Sequence, residues 1–127
     1  MKLLTPLELK VMNILWKLKK AFVKDILDKW PEKPKPAYNT ISTIIRILEK
    51  RGYIDHKAFG RTYEYFPSVS KFTYQKRLIT SVLDNAFAGS VNSLVSALVD
   101  NEKVSDKDLD QLQNLIDQQN DLEQKPD

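Results

Sequence analysis

The segment Ala37–Arg51, AYNTISTIIRILEKR, decides the fold that we predict for this sequence. Its apolar residues recur at the spacing of one helix face: Ile41, Ile44, Ile45 and Leu48. At about 100° per residue, the opposite face carries two cations, two small hydrogen-bonding side chains and no acid. These outward residues are Asn39, Thr43, Arg46 and Lys50. Such a helix can pack its apolar face into a core and present donors to a polyanion, which is typical of a recognition helix for DNA.

Two further helices are predicted before this segment. Thr5-Pro6-Leu7-Glu8 combines a Thr cap, a Pro at the first helical position and a Glu three residues after the cap, so a helix should begin there and end near Lys19. Phe22–Trp30 is a second, shorter amphipathic segment. The sequence PEKPKP at 31–36 cannot continue a helix and therefore connects it to the recognition helix.

A hairpin is predicted directly after the recognition helix. Gly52 marks the helix end, and two segments rich in aromatic and β-branched residues then flank Gly60-Arg61. Pro67 ends the second strand. Three helices followed by a hairpin are the order of a winged helix-turn-helix, in which the hairpin, residues 53–67, is the wing. Its cations Lys57 and Arg61 are placed to touch phosphate or a minor groove, although two exposed cations near a turn can also serve solubility alone.

The second half of the chain predicts three more helices with apolar faces. They cover Lys71 to about Phe87, the segment around Val91–Val99, and a segment that begins at Ser105 and leads into a polar tail. Three short helices bury themselves poorly alone, so we expect them to pair with a second copy. The predicted dimerisation residues are Leu78, Val82, Val91, Leu94, Val95, Leu98, Leu109, Leu112 and Ile116. The predicted domains are therefore 1–71, the winged helix, and 72–127, the dimerisation region.

Charge is distributed unevenly along the 127 residues, although the net charge is only +3. Residues 1–71 carry 15 Lys and Arg against 7 Asp and Glu, whereas residues 72–127 carry 5 against 10. This asymmetry favours a first half that faces a polyanion and a second half with another role. Two solvated surfaces of unlike composition would give the same asymmetry, so charge alone does not decide between these interpretations.

The residue types needed for several kinds of chemistry are missing. The absence of cysteine excludes disulfides, thiolate metal sites and a cysteine nucleophile. The single histidine, His56, has no nucleophile that the sequence pairs with it. We therefore expect a protein that is not an enzyme and needs no cofactor or metal. Because Pro6, Glu8 and Lys10 interrupt the first apolar residues, we expect no signal peptide, no membrane insertion and a cytoplasmic location.

Several side chains of the recognition helix are chemically suited to contact base edges or phosphates. Arg46 can reach a guanine or a phosphate, and Asn39 can pair with an adenine edge. Thr40 and Thr43 can donate to phosphate or pack a methyl group against thymine. The alternative for Arg46 is an ion pair with Glu49 three residues later, but an exposed pair of this kind contributes only tenths of a kcal/mol.

Four segments of the sequence resemble the penicillinase-repressor family of bacterial transcriptional regulators (BlaI/MecI/CopY). They are LTPLELKVMNILW, AYNTISTIIRILEKRGYI, GRTYEYFPSVS and FAGSVNSLVSALV, and the resemblance extends from Leu4 to about Ile116. It implies a homodimeric repressor whose winged helix binds dyad-symmetric operator DNA and whose C-terminal helices dimerise. The family pattern in the recognition helix and wing carries over to Tyr38, Thr40, Thr43, Arg46 and Arg61.

The resemblance also bears on how the repressor would be released from DNA. In antibiotic-responsive members, a membrane sensor metalloprotease triggers cleavage in the C-terminal part, commonly at an Asn-Phe bond. Ala97-Leu98 stands at the matching place here. The copper-responsive branch uses a cysteine-rich tail, and that mode is excluded for a sequence without cysteine.

The sequence therefore predicts a mainly helical fold with a small hairpin wing, and a homodimeric repressor that binds operator DNA through residues 37–51 and 53–67. The predicted DNA-binding residues are Tyr38, Asn39, Thr40, Thr43, Arg46, Lys57 and Arg61. The alternative is a winged-helix adaptor whose basic face meets an acidic protein partner. The acid-free helix face argues against the adaptor, because protein interfaces usually centre on aromatic anchors.

Overall fold

The computed structural model describes residues 3–124, with side chains as far as Asp121. The chain forms a mainly helical structure with one two-stranded antiparallel hairpin, as the sequence predicts. In chain order the elements are α1 (Pro6–Leu18), α2 (Val23–Asp28), α3 (Tyr38–Lys50), β1 (Ile54–Phe59), β2 (Thr62–Pro67), α4 (Lys71–Ala86), α5 (Val91–Val99) and α6 (Asp106–Gln124). The first five follow the order of a winged helix-turn-helix, so the predicted fold class is confirmed.

The capped start of α1 is present and is tied to the end of α3. The Thr5 hydroxyl accepts the Glu8 N–H at 3.3 Å, and the Glu8 carboxylate accepts the Thr5 N–H at 2.9 Å. Arg51, which follows α3, donates to the same carboxylate at 2.7 Å and to the carbonyl of Leu3 at 3.1 Å. Burial would raise the pKa of Glu8, but the Thr5 N–H and the Arg51 guanidinium outweigh burial and lower it.

The apolar face of α3 forms the centre of the first core. Ile41, Ile45 and Leu48 are fully buried, and Ile44 is half-buried against the same core. The other side chains that are at most 2% exposed come from α1, the connection to α2, α2 itself and the chain entering β1: Val11, Met12, Leu15, Ala21, Ile26, Tyr53 and Ile54. Since aliphatic burial fixes the rotation of α3 about its axis, its polar face must point outward.

The hairpin is anchored at its base and open at its tip. In the register His56 lies opposite Tyr65, and Ala21 forms a bridge to Tyr65 on the other edge of β2. Gly60 occupies the turn with a positive φ of 61°, a conformation that glycine adopts without steric cost. This arrangement leaves the two-residue turn Gly60-Arg61 at the end of the wing.

The chain divides into two compact units, the first ending at Ile79 and the second beginning at Thr80. The predicted boundary after Lys71 lies eight residues earlier. The first two turns of α4 belong to the first unit because Tyr74 is buried there, with its ring 5.9 Å from that of Trp16 and 6.1 Å from that of Tyr53. Leu78 also packs against the first core.

The second unit contains the end of α4 together with α5 and α6. Ser90 caps α5 by accepting the Ser93 N–H at 3.1 Å. Ser105 and Asp108 form the predicted capping box of α6, which continues to Gln124, within the segment predicted as a polar tail. All buried side chains in residues 3–121 lie at or before Tyr74. The second unit therefore leaves its apolar faces at least partly open to solvent.

No single helix in residues 3–124 is long and apolar enough to cross a membrane. The pair α4 and α5 reaches that length and composition when taken together, as two helices bent by 102°.

Candidate nucleic-acid interface

The outer face of α3 carries most of the predicted DNA-binding residues, and the structure places them in solvent. Asn39, Thr40, Thr43 and Arg46 are exposed, and so is Lys50. Tyr38, the first residue of the helix, is 55% exposed. Because Ile41, Ile45 and Leu48 are fully buried on the other side, this polar face cannot rotate inward without unpacking the core.

Arg46 is held by its own helix and not by the acid that the sequence offered as its partner. Its guanidinium donates to the carbonyl and the hydroxyl of Ser42, at 3.5 and 3.4 Å. The Glu49 carboxylate contacts Nδ1 of His56 on β1 instead. The Arg46–Glu49 pair considered from spacing alone is therefore replaced by two long hydrogen bonds that a phosphate or a base edge can readily displace.

The contact between the Glu49 carboxylate and the His56 imidazole joins the recognition helix to the wing. The His56 imidazole also stacks on Tyr63 of β2, with ring centroids 4.3 Å apart. Beneath this pair lies Tyr65, whose pKa is raised by burial and, to a smaller extent, by the negative charge of Glu49. These contacts fix the angle between helix and hairpin.

Glu49, Asp55 and His56 also form a group that could in principle hold a metal ion. One ligand atom from each lies within 4.8 Å of the others. The carboxylate of Glu49 and the imidazole of His56 already contact each other. The Asp55 carboxylate accepts the backbone N–H of His56 at 2.8 Å. We interpret the group as the structural link between α3 and the wing.

A groove of about 570 Å³ separates α3 from the wing and the start of α2. It brings together three of the predicted residues: Tyr38, Arg46 and Arg61. Asn39, Thr40 and Thr43 lie outside it. Lys57 follows His56 in β1, where side chains alternate between faces, and its ammonium lies 5.4 Å from the centre of the Phe59 ring. The basic residues among those predicted thus lie on two parts of the fold, Arg46 on α3 and Lys57 and Arg61 on the hairpin.

The predicted dimerisation residues differ in exposure. Val91, Val95 and Ile116 are exposed, while Leu78 is half-buried against the first core. The others are half-buried within the second unit: Val82, Leu94, Leu98, Leu109 and Leu112. Val99 and Leu115, which were not among the predicted residues, are 57% and 64% exposed.

Two features of the surface were not predicted from the sequence. The Glu49–His56 pair joins a helix to a strand across a turn, and no local pattern indicates such a contact. Ile47 on α3 is 45% exposed. The i, i+3, i+4, i+7 spacing of the apolar face omits Ile47, and this omission was the available signal that its side chain faces solvent.

Comparison with known proteins places the chain in a family. The family profile described as "Penicillinase repressor" matches residues 4–118. The methicillin resistance regulatory protein MecI of Staphylococcus aureus strain N315 is 28% identical over 109 residues, which cover 86% of this chain and 89% of MecI. The penicillinase repressor of Bacillus licheniformis is 24% identical over 111 residues, covering 87% of each chain.

One solved structure matches part of this chain. The solution structure of the Bacillus licheniformis BlaI monomeric form in complex with the blaP half-operator is 25% identical and has a TM-score of 0.48. The match covers 57% of this chain and 89% of that one. Because the family profile spans nearly the whole sequence, the chain belongs to the penicillinase repressor family of winged-helix, DNA-binding transcriptional repressors.

Proposed function

We propose that this protein is a cytoplasmic, homodimeric repressor that binds dyad-symmetric operator DNA, with α3 in the major groove and the wing on the adjacent backbone. The observation that carries this proposal is the outer face of α3, which is exposed, basic and free of acid, and which is held outward by a fully buried aliphatic face. A helix of this size and polarity fits the major groove of B-DNA.

Phosphate contacts would supply most of the affinity, and base edges would supply the sequence choice. Lys50, Lys57 and Arg61 are exposed cations suited to phosphate. Asn39, Thr43 and Arg46 are the exposed side chains of α3 best suited to base edges. In a dimer the two helices would enter half-sites separated by whole helical turns, about 10–10.5 bp or a multiple of this spacing.

In vitro selection with the full-length protein tests the proposal. A library of random-sequence duplexes should yield an enriched, dyad-symmetric sequence whose affinity falls steeply between low and high salt. A protein adaptor that does not bind DNA would enrich no sequence, and its retention of duplexes would be negligible at physiological salt. The same selection therefore separates the repressor from the adaptor.

Release by proteolysis is the second part of the proposal. The resemblance to antibiotic-responsive members of the family implies a cut in the C-terminal part, at the place that Ala97-Leu98 occupies within α5. None of the α5 side chains is buried within a single chain, so local opening of this helix costs little packing energy in a chain that has left the dimer. If a sensor protease acts on this chain, an N-terminally tagged repressor recovered from derepressed cells should be shortened near residue 97. Recovery of the intact chain from derepressed cells would contradict this route.

A further inference from the structure

Ile47 is the exception among the aliphatic residues of α3. Ile41, Ile45 and Leu48 are fully buried, and Ile44 packs against the same core. Ile47 is 45% exposed and is not part of that cluster. Core packing therefore does not account for an isoleucine here, and helix propensity favours Ala, Leu or Lys over a β-branched residue at an exposed position.

The neighbours of Ile47 on the helix surface define what it can contact. Residues three and four apart are adjacent on a helix, which places Ile47 beside Thr43 and Lys50, with Thr40 one turn further along. All three neighbours are exposed. Single exposed apolar residues are common on protein surfaces, but this one lies within the face proposed to enter the major groove. Its methyl groups and those of the two threonines form a narrow apolar strip on that face.

The major groove offers an apolar side chain one matching group, the C5-methyl of thymine. Isoleucine has no donor or acceptor, so it cannot read the other base edges by hydrogen bonding. We propose that Ile47 packs against a thymine methyl group in each half-site and thereby selects a T·A pair at that position. This inference rests on the proposed DNA-binding function and names one of its specificity-determining residues.

Deoxyuridine isolates this contact, because it lacks only the methyl group of thymine. The probe is the duplex enriched by in vitro selection with the wild-type protein, in which each thymine is replaced in turn by deoxyuridine. We expect a single replacement, at the contacted position of one half-site, to weaken binding about three- to fourfold, the effect of leaving one methyl group unburied. Replacement in both half-sites should weaken binding about tenfold.

Substitution of Ile47 tests whether this residue reads the methyl group. The Ile47→Ala protein should bind the thymine and deoxyuridine duplexes equally, whereas Ile47→Val should keep most of the difference. Ile79→Ala is a matched control, since Ile79 is 49% exposed on α4, outside the recognition helix. The Ile79→Ala protein should lose as much affinity as the wild type when thymine is replaced by deoxyuridine. Because Ile47 is exposed, its truncation should leave the far-ultraviolet circular dichroism and the melting temperature unchanged.

The outcomes separate this inference from the function on which it rests. The inference is supported if the deoxyuridine duplex binds more weakly than the thymine duplex to the wild type, Ile47→Val and Ile79→Ala proteins, but equally well to the Ile47→Ala protein. A methyl effect that survives Ile47→Ala assigns the contact to another side chain and overturns it. Tight, selective binding without any methyl effect overturns it while leaving the repressor function intact. If no duplex is enriched at all, both the function and the Ile47 contact are refuted.

Discussion

At the residue scale, Arg46 is held in position by its own helix and still remains exposed to solvent. Its guanidinium is exposed and bonds to Ser42 one turn earlier through two contacts near the upper limit of hydrogen-bond length. Among residues 3–121, no carboxylate lies within ion-pair distance of it. Binding to phosphate or guanine therefore requires little prior desolvation and breaks no salt bridge.

Arg46→Ala should weaken binding to the selected duplex by about 1–3 kcal/mol for each half-site, the usual value of a charged base or phosphate contact. Fluorescence anisotropy with a labelled duplex measures the change. Lys10→Ala is the control, because Lys10 is a cation of the first unit that pairs with Glu32 on a different element. An exposed pair of this kind is worth little, so the control should bind within about twofold of wild type. Unchanged affinity for Arg46→Ala would remove this residue from the interface.

Lys57 should behave differently, since it is suited to phosphate and not to a base edge. Lys57→Ala should weaken binding to all duplexes by a similar factor. It should also reduce the slope of log K against log salt by about 0.9 for each bound protomer, because one fewer counterion is released. Titrations at several salt concentrations measure the slope. If Lys57→Ala weakened binding by the same factor at every salt concentration and left the slope unchanged, Lys57 would not contact phosphate.

At the scale of elements, Glu8 and Arg51 connect the start of α1 to the end of α3. Glu8 is 8% exposed, and its carboxylate accepts both the Thr5 N–H and the Arg51 guanidinium. Removing the Glu8 charge would remove the carboxylate to which the partly buried Arg51 donates. The pair therefore positions the recognition helix as well as stabilising the fold.

Glu8→Gln should lower the free energy of unfolding by about 2 kcal/mol at neutral pH, the usual value of a hydrogen bond between charged groups. The pKa of Glu8 is lowered in the folded state from its usual 4.5. Its contribution is thus fully present above pH 4.5 and is lost as the pH falls through the lower, folded-state pKa. Urea denaturation at several pH values should show the wild type and the variant converging in strong acid. A difference that stays constant from neutral to strongly acidic pH would contradict this.

The sequence predicted elements well and contacts between elements poorly. The helices α1 and α3 and the wing followed from local periodicity, the Thr5 cap, Gly52 and the Gly60-Arg61 turn. The Glu8–Arg51 ion pair and the Glu49–His56 contact did not, because they depend on how the elements pack, and no short-range pattern encodes that packing. Of the candidate site, the outward face of α3 was predictable from helix geometry, whereas the groove that joins Arg46 to Arg61 required the folded chain.

At the scale of the whole molecule, the two units have contrasting surfaces. The first buries a continuous aliphatic and aromatic core, whereas the second has no buried side chain among its described residues. Val91, Val99 and Leu115 are each more than half exposed. Leaving this much apolar surface in water is unfavourable, and a second copy of the same helices can cover it. Dimerisation would also place two recognition helices on one DNA molecule, so that the second half-site binds at high effective concentration.

Introducing charge on α5 tests this assembly without disturbing the first unit. Val91→Asp combined with Val95→Asp places two carboxylates on exposed apolar positions, so the dimer should dissociate while each chain stays folded. Sedimentation at micromolar concentration should then show a species of 14.7 kDa, where the wild type shows twice that mass. Asn92→Asp with Ser96→Asp adds the same charge to exposed polar positions of α5 and should remain dimeric.

The same double substitution should also weaken DNA binding, because it separates the two recognition helices of the dimer while leaving α3 itself unchanged. The monomeric variant should bind a single half-site as well as a wild-type protomer does, but should lose about 100-fold or more on the duplex with both half-sites. Equal losses on both duplexes would mean that the substitutions had damaged the winged helix itself. A wild-type protein that sediments as a single 14.7 kDa species would instead show that the exposed helices of the second unit serve another partner, and that this repressor reaches its operator without self-association.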